Sequence, residues 1–361
     1  MRGLELWLTE PNKHNINEYP TIADIINAII MEEESRLVYK YPLSHNKTVI
    51  SKLERVGNNL LMSSSENNSD LELMPLSKSA TTLYRGQSAY YKQCLPSLYR
   101  YSNDDFQKAQ LKSRLQLSEL SVFLGMHPII KDCVNNKNII EYLAQHYGIA
   151  TTYLDLTTDK WIAAFFATTV YENGKYSPVD ISNPKHPKYG VLYKFSTITK
   201  SKKVVVNDKI HYIGMHYFNR PGRQSAAVID LKDERDLHKI PRFDKIFFRH
   251  DNDISNLIFN LSQQGRKLFP HDSLGLMIDK FLKGVSFSAI AANICNNKYY
   301  DKMSIRDFTL YMYKHGFSIG KPQLVFNSDI FDEIDLWIKE GRKRYNDSIV
   351  IIPVSKSSVD E

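Results

Sequence analysis

Apolar residues recur along this chain with two periods, one near 3.6 and one of two, and the changes between them mark out its elements. A short strand and a turn are expected in WLTEPNKH. A helix then carries Ile22, Ile25, Ile26 and Ile29 on one face, with Thr21 as its N-cap. The polar run SSSENNSD (63–70) reads as a solvated loop, and SKSATTLYRGQ reads as a strand that stops at Gly86. Leu117, Leu120 and Leu124 share one face of a long helix over 104–124. Ile140, Leu143, Ala144 and Tyr147 fall at i, i+3, i+4 and i+7, and Gly148 then suits the left-handed position after a helix end. The β-branched IATTYLDL predicts a strand. After it, Thr158 or Asp159 can cap a helix from Lys160 that buries Trp161, Ile162, Phe165 and Phe166.

From 189 to 250 the pattern becomes strand-like, in YGVLYKFS, KKVVVN, SAAVIDL and DKIFFRH. Helical spacing returns with Leu274, Met277, Ile278, Phe281 and Leu282, and again with Ile330, Ile334, Trp337 and Ile338, before a strand-like SIVIIPV. No internal repeat interrupts this order. The expected class is α+β: a mixed core over 7–285 and a mostly helical C-terminal extension over 286–361.

Composition narrows the setting more than the chemistry. The chain has 361 residues, 42% hydrophobic and 24% charged, with no run near the ~18–20 apolar residues that span a bilayer. MRGLELWLTEPNKH carries glutamates within its apolar stretch and is broken early by proline, unlike a signal peptide, so a soluble cytoplasmic protein with no membrane partner is expected. Cys94, Cys133 and Cys295 lie far apart and form no CxxC pair, which suits a reducing compartment and gives no zinc spacing. The net charge of +7 and a pI near 9.0 allow a nucleic-acid partner without demonstrating one. P-loop, dinucleotide-fold and GxSxG signatures are lacking, and no acid cluster suggests a metal.

Several residues carry candidate chemistry, each beside a plainer reading. Arg85 offers a rigid fork of donors that fits phosphate oxygens, and Gly86 lets a ligand approach the backbone; alternatively Arg85 is an internal ion-pair partner of Asp155. Asp155 stands between two leucines in an apolar strand, so it needs a cation, Arg85 or Arg100, or a catalytic task. His146 borders the tight turn at Gly148, where core and cleft positions are equally expected. Thr157 and Thr158 precede a helix that they can cap or open to an anion. Trp161, Phe165 and Phe166 read as core. Arg220 and Arg223 in NRPGRQ suit a phosphate or simply solvent. KIPRFDKIFFRH interleaves Lys239, Arg242, Lys245 and Arg249 with Phe243, Phe247 and Phe248; it is either a nucleic-acid patch or a strand with one wet face.

Three stretches together resemble the FRG domain family, named for an aromatic–Arg–Gly motif. They are Tyr84-Arg85-Gly86-Gln87 with LPSLYR (95–100), then AQHYGIATTYLDLTTDKWIAAFFA (144–167), and more weakly GVLY (190–193), NRPGRQSAAVI (219–229) and LFPHDSLGLMI (268–278). The likeness covers roughly residues 7–285. FRG domains are in turn similar to ADP-ribosyltransferases, in which a first-strand Arg or His holds NAD, a Ser/Thr-rich strand and its helix wall the pocket, and a later glutamate positions the ribose or acceptor.

The resemblance therefore implies an ADP-ribosyltransferase-like fold with a nucleotide cleft, NAD as its ligand and no metal. Arg85 would grip the diphosphate, Tyr84 or Tyr147 would stack on a ring, and Gln224 would bond a ribose. Gly86, Gln87, Thr157 and Arg223 complete the expected binding set, and Arg85, His146, Asp155 and Gln224 the catalytic one. The family's associations imply bacterial or phage conflict, as antiviral defence or toxin. Gln224 departs from the pattern, since a glutamine cannot act as a base; Asp155 or Asp230 could substitute, although nothing in the sequence requires it. A non-catalytic module that binds nucleic acid, a nucleotide signal or a protein is the alternative, with the C-terminal helices as a surface for a protein partner.

Overall fold

Alternating apolar residues make a sheet only when strands from distant segments meet, and here six do. The computed structural model describes residues 16–37, 59–63, 71–75, 82–127, 139–196, 209–212, 219–240, 243–270, 273–300, 303–325 and 327–336. The expected strands in WLTEPNKH, KKVVVN and SIVIIPV, and the loop over 64–70, lie outside them. Chain order begins with helix α1 (Ile22–Leu37), hairpin strands β1 (Asn59–Ser63) and β2 (Leu71–Pro75), and the motif strand β3 (Thr82–Gln87). Helices α2 (Asn103–Gly125) and α3 (Ile139–His146), strand β4 (Tyr153–Thr157) and helix α4 (Lys160–Thr168) follow. Then come β5 (Thr169–Glu172), β6 (Lys175–Pro178), β7 (Tyr189–Ser196), β8 (Ile210–Tyr212), α5 (Asn219–Arg223), β9 (Ala226–Asp230) and β10 (Phe243–Arg249). The rest is α6 (Asn252–Leu261), α7 (Ser273–Phe281), β11 (Ser286–Ser288), α8 (Ala289–Tyr299), α9 (Ile305–Lys314), β12 (Ser318–Gly320) and a helix α10 over 328–336. The protein is thus α+β, as its sequence pattern predicts.

The main sheet is antiparallel throughout, in the order β10-β7-β3-β4-β9-β8. Its pleat sends Leu83, Leu154, Leu156, Tyr193, Ala227 and Phe247 to one buried face. The opposite face packs Tyr84, Leu192, Ile246 and Phe248 against α1, α4 and α6. Strand β10 is therefore buried on both sides. Phe247 and Phe248 belong to the two cores and Phe243 stacks on Phe195 at 4.8 Å, so the patch predicted in KIPRFDKIFFRH has few rings free for bases.

Helix α4 lies on β3 at unusually short range. A Cβ on Gly86 would stand 1.8 Å from Ala163 O and 2.7 Å from Ala167 N. Gly86 therefore admits a helix, not a ligand, which corrects the sequence reading. The same contact explains Trp161: α4 turns its small Ala163 and Ala167 to β3 and buries Ile162 and Phe165, leaving Trp161 46% exposed rather than in the core. A third apolar cluster runs through α2, α3, α7, α8 and α9, from Leu111 and Leu143 to Phe308, Phe317 and Ile334. Residues on both sides of position 285 share it.

Candidate functional site

The sheet parts beside the motif strand. Strand β3 pairs with β7 along its whole length, from Thr82 opposite Ser196 to Gln87 opposite Val191, but with β4 at a single position, Tyr84 opposite Thr157. Beyond that pair the two strands separate, and Arg85 bridges the gap: its Nη1 donates to Asp155 O at 2.8 Å. The side chain thus supplies a partner to a carbonyl that the ladder leaves open. Arg85 is half-buried and reaches Asp155 through the main chain, rather than as the ion pair that the sequence suggests.

Asp155 and His146 meet at this parting. Their Oδ1 and Nε2 atoms are 3.6 Å apart, too far for a hydrogen bond, and both are buried with no hydrogen-bond partner. The Asp155 carboxylate straddles the rim, since its side chain is 43% exposed while Oδ1 is covered. Its other oxygen is held: Tyr153 N donates to Thr151 Oγ1, Thr151 Oγ1 donates to Gln145 Oε1, and Gln145 Nε2 donates to Asp155 Oδ2 at 3.3 Å. Helix α3 ends at this point in the left-handed turn expected at Gly148, with φ +86°. Ile149 N donates back to Ala144 O at 3.0 Å, which fixes the last turn carrying Gln145 and His146.

Gln224 lies in the turn between α5 and β9. It is buried, and both ends of its amide are engaged, Nε2 with Leu268 O at 3.2 Å and Oε1 with His146 Nδ1 at 3.0 Å. The group expected to bond a ribose therefore already has a protein partner at each end. Thr157 Oγ1 donates to Gln224 O at 2.8 Å and accepts from Asp159 N, so Thr157 ties the site together rather than facing a ligand. Asp159, one of the two expected caps, accepts from Trp161 N at 2.7 Å. Asp230 is no substitute acid, because it pairs with Tyr153 at the far end of β4 and β9.

The predicted ring partners are also taken. Tyr84 is 1% exposed in the core beneath α4. Tyr147 is buried under Arg220, whose guanidinium sits 4.7 Å from its ring centre. Different rings border the site: Phe166, Tyr176 and Phe269 are half-buried, Tyr176 stacks on Phe269 at 4.8 Å, and Arg220 lies 5.7 Å over Phe269. Sequence reasoning missed this trio because its members come from a helix, a hairpin and a loop that no local spacing connects. Arg223 is exposed at the end of α5, and Gln87 keeps a buried Oε1 without a hydrogen-bond partner.

Arginine dominates the electrostatics. Arg220 Nη1 donates to His146 O at 3.3 Å, while Arg220 Nε and Arg85 Nε are buried donors with no hydrogen-bond partner. Burial pushes Arg100 below the usual guanidinium range, and the Arg85 charge adds to this, partly offset by Cys94 and Asp155. Burial pushes the Tyr176 hydroxyl up, helped by the Asp155 charge and opposed by Arg220. Arg85 on the Asp155 carbonyl, Arg220 on the His146 carbonyl and Arg100 within electrostatic reach of Asp155 thus bring three guanidinium groups to the parting. Unpartnered donors beside excess positive charge suit an anion that carries its own acceptors. Among the described residues no group of His, Cys, Asp and Glu gathers to hold a metal ion, and no helix is long and apolar enough to cross a membrane.

An α+β domain with a polar, cationic parting in its central sheet is the class defined by these features. The FRG domain family model matches residues 80–175, so the chain carries an FRG domain over that stretch. The match spans Arg85, His146 and Asp155; Arg220 and Gln224 join them from outside it. Comparisons with curated proteins and with solved structures find no match.

Proposed function

We propose that the parting between β3 and β4 is a cleft for NAD or a related nucleotide, and that the chain cleaves the nicotinamide–ribose bond, with or without transfer of ADP-ribose to a macromolecule. The observation that carries this reading is the convergence of Arg85, Arg100 and Arg220 on Asp155 and His146 beside half-buried rings. Arg85 and Arg220 suit the diphosphate, because a guanidinium fork matches its oxygens two at a time. Phe166, Tyr176 and Phe269 offer the apolar wall for a ring, in place of Tyr84 and Tyr147. Asp155 supplies the negative charge that can oppose the cation developing on the ribose as nicotinamide leaves, a role Gln224 cannot fill. A part in bacterial or phage conflict belongs to the same proposal and rests on the family's associations alone.

The test is incubation of the purified chain with labelled NAD, alone and with cell extract, followed by assay of free nicotinamide and labelled macromolecules. Wild type should release nicotinamide; Arg85→Ala and Asp155→Asn should lower the rate at least about a hundredfold, as expected for lost transition-state contacts. Equal silence of all three, with no nucleotide binding by calorimetry, rejects the enzyme. A non-catalytic module is the second reading, favoured by one observation: the position of the family's acid, in the turn before β9, holds a glutamine with a protein partner at each end of its amide. NAD or another nucleotide bound by wild type and not by Arg85→Ala, without turnover, would establish that module.

A further inference from the structure

Gln224 is usefully understood through the residue it touches. Leu268 O requires a donor, so the amide must present Nε2 to it, which leaves Oε1 for His146. A carbonyl oxygen only accepts, so His146 Nδ1 must carry a proton. That assignment leaves Nε2 as the nitrogen that gains or loses the second proton, and Nε2 is the one facing Asp155 Oδ1 at 3.6 Å. Asp155 is oriented separately, by the relay from Thr151 through Gln145 to its Oδ2. Two independent tethers therefore aim two unpartnered atoms, a ring nitrogen and a carboxylate oxygen, at one another across a distance that neither closes.

We propose that Gln224 is a positioning residue that holds His146 as the Nδ1–H tautomer, so that His146 Nε2 and Asp155 Oδ1 form a proton-accepting pair for a hydroxyl group of the ligand. When such a hydroxyl is deprotonated, its O–H bond breaks and the proton forms a bond to Nε2. The resulting imidazolium donates through Nδ1–H to Gln224 Oε1 and faces the Asp155 carboxylate, which stabilises its charge. Without Gln224 the preference reverses: a neutral His146 places its proton on Nε2, toward Asp155, and presents no lone pair to the cleft. The glutamine at the position of the family's acid then has a definite task, to fix which nitrogen of a histidine can act. This inference rests on the parting being the functional site, but not on NAD as its ligand.

The experiment is nitrogen NMR of the full chain labelled with ¹⁵N-histidine, with the His146 ring assigned through its backbone and read in its neutral form. Wild type should show a proton on Nδ1 and a lone pair on Nε2, favoured about tenfold, as one net hydrogen bond of ordinary strength provides. Gln224→Leu should invert the ratio, and Gln224→Glu, which keeps an acceptor for Nδ1–H, should preserve it. A wild-type ring protonated on Nε2, or a ratio unmoved in a folded Gln224→Leu chain, would overturn the proposal. Should Gln224→Leu fail to fold, the wild-type and Gln224→Glu spectra decide by themselves. No ligand enters the measurement, so failure here and failure of the NAD assay are separate results.

Discussion

Arg85 and Gly86 sit side by side and do opposite work. The glycine faces a helix, and the arginine spans the gap that the helix-bearing strand opens. Backbone atoms of Ala163 and Ala167 fill the space where a Gly86 side chain would go, and neither can swing aside as a flexible side chain would. Gly86→Ala should therefore cost about 2–3 kcal/mol or more, since it forces α4 off the sheet. Urea unfolding of the two chains would measure it, and a loss under about 0.5 kcal/mol would contradict the packing described. The motif's aromatic, Tyr84, is also spent on this core. Of the three motif residues, only the arginine reaches the cleft.

Elements meet the site at their ends: the last turn of α3, the turn before β9 and the end of β3, from which a loop runs on. His250, just after β10, fastens that loop, its Nε2 donating to Ser88 O at 2.8 Å. Burial pushes the His250 ring down to about 4, against the bond to Ser88, which acts the other way. The sign follows from proton counts. Between pH 6.5 and 4 the unfolded chain holds a proton on this ring that the folded chain does not. The stabilisation is complete above about pH 6.5 and is lost as pH falls toward 4, a change of about 3 kcal/mol. His250→Gln keeps a donor for Ser88 O but cannot titrate. Its thermal midpoint should fall less than that of wild type between pH 7 and pH 4, and parallel curves would exclude His250 as a source of acid sensitivity.

At the scale of the whole molecule, the sheet's two cores and the helical core divide the labour. The parting and Arg85 are built on the sheet and Arg220 on the short α5, while His146 rides on a helix anchored in the helical cluster. That cluster joins α2 and α3 to α8 and α9, with Phe308 fully buried among them. Phe308→Ala should destabilise the chain by about 3–5 kcal/mol through the cavity it leaves. Because Leu143 and Tyr147 share the cluster, a probe in α3 and one in α9 should report the same unfolding midpoint. Separate midpoints would mean that the C-terminal helices fold independently of the site.

Helical spacing and strand alternation by themselves determined the elements that are described: α2, α3, β4, α4, β7, β9, β10 and α7 stand close to where the pattern places them. Local geometry does the same for caps and turns, as at Asp159 and Gly148, because the partners lie within a few residues. The motif residues likewise marked Arg85, His146 and Asp155, although not how they meet. Tertiary structure alone decided the rest. Hydrogen-bond partners distant in sequence gave Gln224 its contacts with His146, 78 residues away, and with Leu268. Close helix packing turned Gly86 and Tyr84 into core and Trp161 into surface. Most of all, the single Tyr84–Thr157 pair decided that the sheet parts there, because strand register is a property of two chain segments and is not written in either one.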